Sequence, residues 1–167
     1  MKKIKRIMLF IAILIAMNSC TADTAEGSVD NTPIETLVTN YSYNDSELLA
    51  LKLINEYRVS VGLNALERVN HISSKCEEHN VYMIENNVVN HNDFVERSQN
   101  ITSVLGAKKV GENVAYNYKT PEAALRAWLE SPGHKANIEG DYTHFGISVT
   151  TDTVTGKKYY TNIFAKL

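Results

Sequence analysis

The 167-residue chain is 44% apolar and 22% charged, a balance that suits one globular domain and argues against a disordered polymer. Its 17 Lys+Arg and 19 Asp+Glu give a formal charge of -2, with Lys2, Lys3, Lys5 and Arg6 gathered ahead of any acid. Without those four the balance is 13 basic against 19 acidic residues, or -6, so no nucleic-acid partner is expected, because affinity for phosphate backbones comes from clustered Lys and Arg.

The basic start runs into eleven unbroken apolar residues, Ile7 to Met17. A bilayer span needs about 20, so residues 1–19 read as a secretory signal peptide rather than a transmembrane helix. Cys20 follows the small Ser19 directly, which resembles a bacterial lipoprotein signal: the thiol is diacylated and the peptide is cut before it. Several acyl chains on Cys20 would hold the protein to a membrane, making it extracytoplasmic and lipid-anchored. The alternative is ordinary cleavage after Ala22 and a secreted product. With Cys20 modified, Cys76 has no partner for an internal disulfide, and its place on an apolar helix face points to packing.

Residues 20–44 are rich in Thr, Asp, Asn and Ser and lack periodicity, which reads as a flexible tether ahead of a domain at 45–167. Asn44 with Glu47 resembles a capping box, and Leu49, Leu53 and Tyr57 then recur at helical spacing until Gly62. A second helix is predicted from about Val69 to Asn86, with Ile72, Cys76, His79 and Met83 on one stripe and an Asn-rich break after it. Thr120-Pro121-Glu122 and Ser131-Pro132 are two helix starts. Phe145–Thr151 and Lys157–Ala165 are β-branched and aromatic around Thr155-Gly156, predicting an antiparallel hairpin. Helices first and a hairpin last predict an α+β fold, with helical layers about a small antiparallel sheet in an α/β/α sandwich.

No nucleophile elbow, His-Glu-x-x-His helix, Cys-x-x-Cys pair or phosphate-binding glycine loop is present. Cys76 and His79 are three apart on an apolar stripe and read as core. Three segments stand out: Asn90-His91-Asn92-Asp93-Phe94 with Arg97, Gly111-Glu112-Asn113-Val114-Ala115, and Trp128-Leu129-Glu130-Ser131-Pro132-Gly133-His134. Arg97 is placed to anchor its loop by a charge-assisted bond. If Ser131 caps its helix, His134 is at the third helical position, where the helix dipole disfavours imidazolium.

In order and spacing, these segments resemble the CAP superfamily (cysteine-rich secretory proteins, antigen 5 and plant pathogenesis-related 1 proteins), in its short bacterial SCP-like branch. The likeness extends to Asn55-Glu56-Tyr57-Arg58, Gly62-Leu63, Leu66, His79, Met83 and the closing Tyr160–Ala165 strand. It implies the CAP sandwich and a cavity built on two histidines and two acids. His91 and His134 match the histidines, and Glu112 matches the first acid. Glu130 is the candidate second acid, although it stands two residues after Trp128 where animal and plant members place it three after. The resemblance further implies a module that binds a lipid or other small ligand, or a divalent metal such as Zn²⁺ on His91 and His134, with no assured reaction. Two other readings stay open. One is a metal-assisted hydrolase or peptidase with Glu112 as general base, and the other is a structural or adhesive surface protein in which these residues pin loops together.

Overall fold

The computed structural model describes residues 36–167; the leader, Cys20 and the tether up to residue 35 lie outside the described residues. Nine elements follow one another: α1 (Asp45–Ser60), β1 (Glu67–Arg68), α2 (Asn70–Asn86), α3 (Phe94–Leu105), β2 (Lys109–Tyr116), α4 (Pro121–Glu130), α5 (Pro132–Ile138), β3 (His144–Thr151) and β4 (Lys158–Lys166). The capping box is in place: Asn44 Oδ1 accepts from the Glu47 N–H, and Glu47 Oε2 accepts from the Asn44 N–H. Thr120 caps α4 and Pro121 is its first residue, whereas Ser131 precedes α5 without a side-chain cap bond.

The strands form one sheet in the order β1-β3-β4-β2, with β3–β4 and β4–β2 antiparallel and the two-residue β1 parallel to β3. Alternation along the strands sends side chains to two helical layers. Phe145, Ile147, Val149, Tyr160 and Phe164 meet Ala50, Leu51 and Ile54 of α1 and Ala124 and Trp128 of α4. On the other face Ile163 and Ala165 meet Ile72 and Cys76 of α2 and Ile101 of α3. A small third cluster joins Met83, Val114 and Tyr159. The α/β/α sandwich expected from the sequence is thus the observed architecture. Gly146 brings α2 onto the sheet, since a Cβ there would overlap the Ser73 backbone nitrogen and Ile72.

Three elements went unread in the sequence: the two-residue β1, α3 and β2. Phe94–Arg97, taken as loop, opens a twelve-residue helix, and Gly111–Ala115 lies within strand β2. β2 is a sheet edge, and its outward carbonyls are occupied by side chains: Trp128 Nε1–H donates to Val114 O (3.0 Å) and Asn137 Nδ2 to Glu112 O (3.0 Å). Residues 36–44, the end of the stretch read as tether, lie against the domain. The Val38 N–H donates to His71 Nδ1 (3.2 Å), Asn70 Nδ2 to Thr39 O (2.6 Å), and the Tyr43 hydroxyl meets Asn70 Oδ1 and Ser73 Oγ.

Candidate functional site

Glu112 lies near the middle of β2 on the face covered by α3, with a side chain only 1% exposed. A carboxylate so placed needs compensation. Arg97, one turn into α3, supplies it as a fork: Nε donates to Oε2 (2.9 Å) and Nη2 to Oε1 (3.0 Å). The third nitrogen, Nη1, donates to Asn92 O (2.7 Å), so the same side chain ties down the loop next to His91.

His91 Nδ1 is 2.8 Å from Glu112 Oε1. A carboxylate oxygen already accepting from arginine can only accept again, which assigns the hydrogen of the neutral ring to Nδ1 and leaves Nε2 with its lone pair. The His91 side chain is 52% exposed and lines a pocket of about 450 Å³ with Asp93, Phe94, Val95 and Glu96 at the start of α3. The site therefore has a dry end, Arg97–Glu112, and a wet end, His91.

His134 approaches from α5 at the β2 edge, held through its backbone: Asn113 Nδ2 donates to His134 O (3.0 Å), and Asn137 Nδ2 donates to Asn113 Oδ1 (2.9 Å). Among the described residues its ring makes no hydrogen bond. Its pKa is lowered by partial burial and then by the charge of His91. The sequence argument had the direction right but gave the helix dipole as its cause. His79 carries a similar downward shift, caused mainly by burial. His79 Nε2–H donates to Asn90 O (2.9 Å) while its ring stacks on Tyr82, steadying the loop that leads to His91. As expected from the sequence, Cys76 and His79 are core residues, and burial pushes the Cys76 thiol up.

Of the four site residues expected, the structure brings His91 and Glu112 into direct contact and sets His134 on the residue following Glu112. Glu130 is exposed at the last position of α4 and, among the described residues, bonds to none of the other three. Among the described residues no three His, Cys, Asp or Glu side chains are grouped to hold a metal. Both Glu112 oxygens are engaged by Arg97 and His91, so the groups left to a cation are the two imidazoles. The sequence undervalued Arg97 and missed Asn113 and Asn137. The Gly-Glu-Asn segment was the one available signal for Asn113.

The sequence profile of the family described as CAP, the cysteine-rich secretory protein family, matches residues 51–164. The chain belongs to the CAP family. Among curated relatives, the uncharacterized membrane protein YlbC of Bacillus subtilis (strain 168) is 36% identical over 130 residues, covering 72% of this chain and 34% of its own length. The uncharacterized protein YkwD of the same organism is 28% identical over 152 residues, covering 85% of this chain and 59% of its own. The chain spans less than two thirds of either relative. The crystal structure of an extracellular protein containing an SCP domain, from Bacillus anthracis str. Ames, matches with a TM-score of 0.65 at 26% identity, over 73% of this chain and 40% of that one. Like the sandwich, the CAP assignment expected from the three sequence segments holds.

Proposed function

We propose that this CAP domain is displayed outside the cytoplasm on a lipid anchor at Cys20 and binds a small ligand, a lipid or a divalent metal, in the open cleft beside His91, with His134 as a second donor. The observation carrying this reading is the asymmetry of the site: a fully buried Arg97–Glu112 pair supports a half-exposed imidazole whose free nitrogen has no protein partner among the described residues, beside an open pocket. A histidine needed only for packing would not require so elaborate a support on its dry side. The leader supports the anchor; among the described residues no helix is long and apolar enough to cross a membrane.

Two measurements test the proposal. Zn²⁺ titrated into the full chain is expected to bind with an affinity that falls at least about tenfold in His91→Ala and in His134→Ala, since each removes one of two ligands. Native mass spectrometry of the protein from membranes covers the lipid arm. If neither metal nor lipid is retained, the binding reading fails. For the anchor, Cys20→Ser is expected to abolish incorporation of labelled fatty acid and membrane retention.

A second reading has an observation of its own. Arg97, Glu112 and Asn92 O join α3, β2 and the 90s loop, so the cluster also serves as a structural pin, and a lowered melting temperature on replacing His91 or Glu112 with no other change would favour that role alone. A general-base role for Glu112 draws no such support, because Arg97 and His91 hold both its oxygens.

A further inference from the structure

We infer that Arg97 is the positioning residue of this site: its fork fixes the orientation of Glu112, and through it the ring orientation and tautomer of His91. The inference rests on reading the cleft as a binding site, but its geometry stands apart from any ligand. Three contacts converge. The fork uses Nε and Nη2 and fixes the plane of the Glu112 carboxylate. The carboxylate oxygen nearest His91 is thereby aimed at Nδ1, at 2.8 Å. The remaining nitrogen holds Asn92 O, one residue beyond His91, so both the ring's partner and the backbone that carries the ring are fixed by one guanidinium.

A carboxylate on its own rotates about its last torsion and offers either oxygen; a planar guanidinium pairing side-on removes that freedom. Buried and all but inaccessible to water, Glu112 has no other cation among its hydrogen-bond partners in the described residues. The consequence is selective. With Nδ1–H committed inward, the pocket is offered one acceptor nitrogen, Nε2. What docks on His91 must bring a hydrogen-bond donor or an electron-pair acceptor; a group that can only accept finds no donor on that ring. Lysine at this position would keep a charge near Glu112 but would lose the fork and, with it, the simultaneous hold on Asn92.

Ring-nitrogen NMR of ¹⁵N-histidine-labelled full chain provides the test, at about pH 8, where an ordinary imidazole is neutral. The unsubstituted protein is expected to give His91 the pattern of a single tautomer with the proton on Nδ1. In Arg97→Gln and Arg97→Lys the two ring nitrogens should move toward a common averaged shift as both tautomers interconvert, while the amide spectrum of the sheet stays dispersed. A residue that merely stabilised the fold would lower the melting temperature without moving the ring pattern. If Arg97→Gln keeps the Nδ1–H pattern, the inference is overturned. Should that variant fail to fold, Arg97→Lys decides, and an unchanged pattern there overturns the role of the fork. The binding proposal fails separately: unsubstituted protein that retains neither Zn²⁺ nor lipid would sink it and leave the ring pattern standing.

Discussion

Glu112 and His91 touch, yet they carry different weights, because one is sealed and the other is wet. Replacing Glu112 by alanine strands the Arg97 guanidinium in a dry pocket, which costs about 3–5 kcal/mol when one partner of a buried pair is removed. Replacing His91 by alanine removes a half-exposed ring whose absence leaves the Arg97–Glu112 pair intact, and about 1 kcal/mol or less is expected. Chemical denaturation of the two variants should separate them clearly. The histidines also set a pH dependence. Folding holds His79 and His134 below their ordinary value of 6.5, mainly by burial. The unfolded chain therefore takes protons first on acidification. Their contribution is intact above pH 6.5 and is lost as the pH falls from there through the lower folded values. Calorimetric melts between about pH 8 and pH 5 are expected to decline, less steeply in His134→Asn than in the unsubstituted protein. At this scale the sequence disclosed the residue types that matter but not their partners. Arg97 was visible only as a possible loop anchor, because the carboxylate it serves is 15 positions away on another element.

The elements that could be read from the sequence are those with local punctuation. Asn44 and Glu47, Thr120-Pro121 and the Thr155-Gly156 turn each carry their meaning within a few residues, and α1, α4 and the β3–β4 hairpin begin and end close to where those signals put them. Besides the two-residue β1, the elements that escaped are α3 and β2, which carry Arg97 and Glu112. The inward stripe of α3 includes Arg97 and Asn100 beside Ile101, and β2 buries Gly111, Glu112 and Asn113 in succession. Polar residues stand at just the positions where hydrophobic periodicity would have revealed the elements. Packing between elements is close at Gly146, where the backbone of α2 lies against β3. Gly146→Ala is expected to force α2 off the sheet and cost about 1–3 kcal/mol, seen as a lowered denaturation midpoint with an unchanged slope.

For the whole molecule, the domain starts earlier than the composition suggests. Residues 36–44 lack helix or strand, and their Leu37, Val38, Tyr41 and Tyr43 follow no sustained period, so no local signal separates them from the tether; what holds them is distant, on α2. His71 uses both ring nitrogens in that attachment, one on the Val38 N–H and the other 2.7 Å from Asn100 Oδ1 of α3. A chain shortened to begin at Asn44 keeps its first helix cap but loses the bonds from Val38, Thr39, Tyr41 and Tyr43, and leaves His71, Asn70 and Glu47 each short of a partner. With Tyr43 bonded to both Asn70 and Ser73, five bonds are lost, and at about 1 kcal/mol each a loss of roughly 5 kcal/mol is expected against a chain beginning at Thr36, measurable by paired thermal melts.

The side chains of Trp128 and Asn137 stand where a fifth strand would have to form its bonds. Any foreign peptide seeking to lengthen the sheet at β2 meets carbonyls already taken, at Val114 and Glu112. The border is thus closed to strand addition at these two carbonyls, and of the residues that close it Trp128 lies on α4 and Asn137 on α5, the helix that carries His134.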